Sequence, residues 1–417
     1  MLTRCKPSKV FYGWWIVAAC FFISLYTSGV VFYGFTAIFR PIAEEFGWSY
    51  VEVSLAASIR GMEAGLLAPI LGLIVDRWGA RKLMFAGAVS TALGLLMMSQ
   101  MRSLGMFYFA SILMALGSSS AGISITTTVI GRWFRRNLGL ATGLMICGHG
   151  ASGVLVPLIV RLVALYGWRM AVLILGVSMF VLMVPLTLVV RSRPEPYGYL
   201  PDGTESVSIL NSSQIQPMPD ADGISARAAL RSRTMWHIVL GLFPHFIAVG
   251  AVFTHIMPYL SSVGISRSLS GLVTTALPLI SIGGRFGFGV LGDRLNKKLL
   301  SASALLGLAV SMLLFEFTTA ATAWLLVFFS LLFGISYGGN LSMLGILLRD
   351  YFGSRSYGTI IGFAWGMLLL GNVVGPPFAG WFFDTWGRYT YAWLSQAGLL
   401  VIGAVLMMAT PRVRKKK

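Results

Sequence analysis

Apolar runs broken by short polar knots recur along the whole chain. Twelve such runs are legible, centred near Ser24, Ala64, Ser90, Gly117, Ser152, Met179, Val249, Ile280, Gly307, Ser336, Leu370 and Gly398. A helix needs about 20 mostly apolar residues to cross a bilayer. Lipid offers no partner to a backbone N–H or C=O, so each run is predicted to be a helix. The first run, from Phe11 to Ile38, is far longer than the core of a secretory signal and lacks a clear cleavage site. It therefore counts as a span. One stretch breaks the rhythm. Between Arg191 and Arg233, five prolines (Pro194, Pro196, Pro201, Pro217 and Pro219) stand among Ser, Asp and Gly. Such a composition cannot bury a core and reads as a flexible linker. The chain divides into an N-terminal six-helix bundle (residues 1–190), a linker (191–235) and a C-terminal six-helix bundle with a basic tail (236–417).

The polar knots repeat as well. Gly72, Asp76, Arg77, Gly79, Arg81 and Lys82 join the second run to the third, and Gly289, Asp293, Arg294, Lys297 and Lys298 follow the eighth. Both copies place a glycine at the end of an apolar helix, then Asp-Arg, then cations. A turn copied into matching places of two halves signals an internally duplicated membrane protein. The expected fold is all-α, with twelve transmembrane helices in two pseudo-symmetric six-helix bundles.

Composition agrees: 56% of residues are hydrophobic and 11% charged, where a soluble chain carries roughly a quarter charged. The net charge of +18 would suggest nucleic acid on a soluble protein; the placement of the cations argues against it. Of the 32 basic residues, Arg40, Arg102, Arg161, Arg169, Arg267 and Arg388 fall in alternate loops, Arg60 and Arg285 fall inside runs, and the rest share the side of the N-terminus. That bias puts both termini in the cytoplasm of a cell-membrane protein; a monomer is expected, and nothing in the sequence fixes the oligomeric state. The basic tail is expected on anionic headgroups. Cys5, Cys20 and Cys147 form no disulfide or metal pattern. No Ser-His-Asp set, paired carboxylates or phosphate loop appears, so neither an enzyme nor a bound cofactor is expected. Residues 148–153, Gly-His-Gly-Ala-Ser-Gly, match a dinucleotide-binding pattern but follow no strand; in a membrane helix they mean close packing.

The knots also carry a resemblance. The Gly-x-x-x-Asp-Arg-x-Gly-x-Arg-Lys of residues 72–82 is similar to the signature loop of the major facilitator superfamily, and the likeness extends over nearly the whole chain. Residues 193–203 and 229–236, the loop Trp133–Gly143 and the Tyr166-Gly167-Trp168-Arg169 patch resemble its monocarboxylate-transporter-like branch, which usually carries another Arg where Leu138 stands. The resemblance implies the major facilitator fold: two bundles rocking about a midplane cavity in alternating access.

Arg285 is the leading site candidate. A charge inside a span costs a few kcal/mol and normally faces a cavity or a partner. The guanidinium fork suits a carboxylate held by two bonds. In the resembling transporters a substrate-binding arginine stands at this point of helix eight, four residues before the glycine of the second knot, as Arg285 stands to Gly289. The competing reading is an arginine snorkelling to an interface about one turn away. Tyr337 and Asn340 share a face at i and i+3, and the resemblance aligns Tyr337 with a substrate contact; small-residue packing is the alternative. His255, beside Pro258 and Tyr259 on helix seven, joins the pocket by the same resemblance. His149, His237 and His245 read as packing residues. Tyr33 and Ser120 are candidates by helix position, and Asn372 is as readily a bond between helices. Arg60 and Glu63, at i and i+3, share a face of helix two. Glu63 is the proton-coupling candidate, since burial raises a carboxylate's proton affinity; a structural ion pair with Arg60 is the rival. Asp76 with Arg77 and Arg81, and Asp293 with Arg294, read as gates, each carboxylate set against the positive start of a neighbouring helix, near Tyr357 and Gly139 respectively. Plain topogenic charge is their alternative.

The expected function is secondary transport of a small monocarboxylate, lactate- or pyruvate-like, with the proton as coupling ion. The relatives' helix-one lysine is absent between Lys9 and Lys82, and so is the helix-eleven lysine of dicarboxylate exchangers. A single cavity cation favours one carboxylate over two. Efflux of an amphipathic drug or metabolite and ligand sensing through the linker stand as alternatives.

Overall fold

The computed structural model describes residues 11–66, 74, 78–120, 122–134, 137–192, 194, 197, 224–353 and 356–411. Almost all of them are helical. We number the long segments α1 (Tyr12–Phe46), α2 (Tyr50–Leu66), α3 (Ala80–Ser99), α4 (Leu104–Ser119, resumed at Ile123–Trp133), α5 (138–166), α6 (168–189), α7 (Arg233–Ser262), α8 (Arg267–Arg294), α9 (Lys297–Glu316), α10 (Leu325–Phe352), α11 (Tyr357–Trp386) and α12 (Thr390–Met408). Each matches one of the twelve apolar runs. Among the described residues nine helices are long and apolar enough to cross a membrane, and one of these, Leu140–Val189, is 50 residues long. It holds two spans, because Gly167 turns the chain with φ 77°, a conformation open to glycine at no steric cost.

Helix starts follow local chemistry. Ser103, Ser232, Ser266 and Asn296 precede α4, α7, α8 and α9, and each side chain accepts a backbone N–H of the first turn. Some residues of the expected linker are among those described. Residues Ala226–Leu230 form a short helix. Ile224 N–H donates to the Phe352 carbonyl at 3.1 Å, and Trp236 Nε1 donates to the Leu230 carbonyl.

The molecule has two distinct faces. On one, Tyr12 donates to the Val189 carbonyl and Trp133 Nε1 to the Arg191 carbonyl, while Arg191 lies 4.1 Å from the Tyr12 ring centre. Lys297 pairs with Asp350 there at 2.6 Å. This is the basic face. On the opposite face, Arg169 meets Glu45 at 2.7 Å and donates to the carbonyls of Ser99 and Met101.

The halves meet along α2 against α11, α5 against α8, and α1 against α7. Between described residues, the hydrogen bonds joining the halves run from the opposite face to mid-depth. Arg40 donates to Ser261, Met257 N–H to Thr36 Oγ1, Ser58 Oγ to the Val373 carbonyl at 2.5 Å, and Thr275 Oγ1 to the Gly153 carbonyl at 2.9 Å. A cavity of about 400 Å³ lies in this seam, lined in part by Arg40, Glu44, Trp168, Ser261 and Arg267.

Candidate functional site

Mid-depth, where the two halves face each other, polar groups from five helices gather. Small residues make the approach possible. On α10, a Cβ at Gly338 would collide with the Ser281 carbonyl of α8. A Cβ at Gly284 of α8 would collide with the Ile335 carbonyl in return. These two contacts lock α8 to α10 beside Arg285. The helix runs on to Arg294, so Arg285 lies about 13 Å from its end at 1.5 Å per residue. That is deeper than the one turn expected from the sequence. Tyr33 of α1 and His149 of α5 lie within electrostatic reach of the guanidinium. The residue is half-buried, and its buried Nε has no hydrogen-bond partner. No carboxylate of a described residue pairs with it. A cation so placed is costly unless something anionic or polar visits it.

The walls are aromatic. Tyr33 is 1% exposed and Tyr337 8%, and the Tyr33 hydroxyl faces Tyr337. The Phe253 ring of α7 bridges them, 4.8 Å from Tyr33 and 5.6 Å from Tyr337 centre to centre. His245 of α7 stacks on Tyr337 at 5.9 Å with the planes 25° apart, and neither of its buried ring nitrogens has a partner. His149 shares a hydrogen bond with Ser28 of α1. Neither histidine stood out in the sequence; the one signal was the glycine on each side of His149.

Other expected site residues lie elsewhere. His255 belongs to the seam on the opposite face. Its Nε2 is 2.9 Å from the Pro376 carbonyl of α11 and 2.9 Å from Ser54 Oγ of α2; its Nδ1 is 2.9 Å from the Tyr389 hydroxyl. A carbonyl only accepts, so Nε2 carries the hydrogen and Nδ1 receives one from Tyr389. Burial, with Tyr50 and the Asp384 carboxylate nearby, pushes the Tyr389 hydroxyl well above the ordinary phenol range, so it stays a donor. Next to this network, Asp384 accepts the backbone N–H groups of Tyr50 and Val51 at 2.8 and 2.9 Å. A carboxylate of α11 thus sits on the positive start of α2, across the halves.

Asn340 is buried inside the C-terminal half, where its Oδ1 accepts from Ser301 of α9. Ser120 Oγ bonds the Leu116 carbonyl one turn back, and its Cβ abuts Gly87 of α3. Arg60 is tied to backbone. It donates to the Ala56 carbonyl at 3.2 Å and the Val31 carbonyl at 2.7 Å, and lies 3.8 Å above the Phe35 ring centre. Val31 sits in a π-helical turn, Ser28–Tyr33, which takes carbonyls off the regular i to i+4 ladder and offers one to Arg60. Arg60 also lines a cavity of about 30 Å³ with Phe253 and Asn372.

The side chain of Glu63, the whole of Asp76 and Arg77, and the side chain of Asp293 lie outside the described residues. Arg81 donates its N–H to Ser192 Oγ at 3.4 Å, and Arg294 is exposed at the end of α8.

Comparison with known proteins adds to this geometry. The sequence profile of the Major Facilitator Superfamily matches residues 14–297 and 256–417. The chain is 26% identical over 415 residues to monocarboxylate transporter 12 of Xenopus laevis, covering 95% of this chain and 88% of that protein. It is 24% identical to human monocarboxylate transporter 2, covering 95% and 85%, and 24% identical to monocarboxylate transporter 10 of Danio rerio, covering 99% and 80%. Among solved structures, a bacterial homologue of the human lysosomal transporter Spinster, in an inward-facing and occupied conformation, superimposes with a TM-score of 0.74 at 15% identity, over 97% of both chains. The unoccupied inward-facing form gives 0.70 at 16% identity, over 97% of this chain and 96% of that one.

Proposed function

This chain belongs to the Major Facilitator Superfamily, and we propose that it is a secondary active transporter of small monocarboxylates, lactate- or pyruvate-like, carrying one proton with each anion. Arg285 is the observation that carries this reading. It is a permanent cation at mid-depth, between the halves, with a buried N–H lacking a partner. A carboxylate supplies what the guanidinium lacks: negative charge and two acceptors in one plane. Tyr33 and Tyr337 then offer hydroxyls to the anion, and Phe253 an apolar wall to its carbon chain. The similarity to proteins named monocarboxylate transporters supports the same substrate class.

Energetics supports proton coupling. Moving a lone anion across the membrane involves electrical work of about 2.3 kcal/mol per 100 mV, and moving it with a proton involves no electrical work. With the basic face in the cytoplasm, as the Lys and Arg bias favours, the described bonds between the halves lie on the outer side, which supports reading the chain as an inward-facing cell-membrane protein with its termini inside. Asp384 on the start of α2 holds the outer face shut. The signature turns, Asp76 with Arg77 and Arg81 and Asp293 with Arg294, would make equivalent contacts on the basic face when the molecule turns outward. Uptake of labelled small acids by proteoliposomes tests the reading. Arg285→Ala is expected to lower uptake about 100-fold, roughly 3 kcal/mol for two charge-assisted bonds. Undiminished transport by that variant would favour efflux of an amphipathic solute instead.

A further inference from the structure

We propose that His149 carries the transported proton and that a carboxylate seated on Arg285 is what admits it. The inference deepens the reading above and rests on it.

The glycines around His149 place it. A Cβ at Gly148 would collide with the Phe21 carbonyl of α1, and one at Gly150 would meet Ile282 of α8 at 2.5 Å. The first glycine lets α5 lie on its own half and the second lets it lie on the other half. The imidazole between them is wedged at the junction. It is half-buried, bonded to Ser28, and within electrostatic reach of Arg285. The elements packed on this part of α5 present few ionisable groups. From α1 the ring meets the Ser28 hydroxyl, with Tyr33 further along. The second part of α4 carries only Arg132, at its basic-face end. From α8 comes Arg285, the one charge among the described residues that acts on the ring. The other histidines fit less well. His255 has both nitrogens engaged, and His245 is 1% exposed with no charged group acting on it.

The charges then balance. Empty, the site holds the single positive charge of Arg285. A proton on His149 alone would add a second cation beside it in a poorly screened interior, and the two would repel. An anion alone would cancel Arg285. Anion and proton together restore the original net charge, so each makes room for the other. The Ser28 hydroxyl suits both states, because it can donate to a bare ring nitrogen or accept from a protonated one. The proton comes from water on the open side, rests on the imidazole while the carboxylate rests on the guanidinium, and leaves with it.

The test measures the accumulation ratio of labelled L-lactate in proteoliposomes, with an outside-acid pH gradient and the membrane potential clamped at zero. The wild type is expected to approach about tenfold accumulation per pH unit. His149→Gln is expected to stop at equal concentrations inside and out, whatever its rate. In detergent, the wild type is expected to take up about one proton per lactate bound near pH 7, and His149→Gln none. Should His149→Gln neither fold nor carry, Ser28→Ala decides. It keeps the imidazole but removes the hydroxyl, whose bond to the charged ring is the stronger of the two it can make, so the pH midpoint of lactate exchange is expected to move down. An unmoved midpoint, or gradient-driven accumulation by His149→Gln equal to wild type, overturns the proposal alone. A wild type that moves neither L-lactate nor any other small acid overturns the carboxylate reading, and this proposal with it.

Discussion

The two faces of the molecule are held by different kinds of contact. On the opposite face the ties cross between the halves: Asp384 on the start of α2, Ser54 with His255, Arg40 with Ser261, and Thr36 with the Met257 N–H. On the basic face the ties between described residues stay within a half. Lys297 meets Asp350, Trp133 meets Arg191, and Lys298 meets the Thr410 carbonyl. The difference separates two tasks. Bonds within a half make each bundle a rigid body; bonds between halves decide which side is shut. A rocking transporter must keep the first kind and exchange the second.

The contrast can be broken most severely at His255. His255→Ala leaves the Tyr389 hydroxyl and the Pro376 carbonyl buried without a partner and cuts the tie to Ser54. About 3 kcal/mol of stability should go, read by thermal unfolding in detergent, and the opposite face should loosen. Distances between spin labels at Arg102 and Thr319, exposed on that face, would report the loosening as a longer component. An unchanged melting curve would show that the network adds little. Asp384→Asn is a narrower cut. It removes the charge that holds two N–H groups across the halves while leaving each bundle intact. The site is solvent-exposed, so the loss should be about 1.4 kcal/mol, a tenfold shift toward the form open on that face. The label pair should lengthen there with little change in melting temperature. The smallest effect sharpens the comparison from the other side. Lys297→Ala removes an exposed pair inside one half and should cost at most about 0.5 kcal/mol. Labels at Asn137 and Asn296, across the basic face, should keep their distance. A change as large as that of Asp384→Asn would mean that the basic face is also governed by this pair.

The sequence carried the fold far more fully than the site. Twelve runs, a repeated Asp-Arg knot and the Lys and Arg bias describe a duplicated membrane bundle, because lipid forces each apolar run into a helix. Gly167 was legible only as an aromatic and cationic anchor, yet its positive φ ends α5 and starts α6. Within the site, Arg285 stood out because a charge in an apolar run is costly and normally faces a cavity or a partner. Tyr337 stood out through its glycine-rich helix. Asp384 carries no signal in the sequence; only its place at the end of α11, over the first turn of α2, makes it a tie between halves. His255 and His149 illustrate the same limit. Both are single histidines in apolar helices, and nothing local tells which one lies within electrostatic reach of Arg285 and which one meets Ser54 and Tyr389.

Read alone, the sequence determined the helices, their count and duplication, and the presence of one stranded cation, since hydropathy and charge act over a single turn or a single span. The tertiary structure decided which residues face that cation. Partner choice depends on how each helix is rotated, and rotation is set by glycine contacts such as Gly150 on Ile282 and Gly338 on Ser281. The first of these joins segments more than a hundred residues apart, beyond the reach of any local pattern.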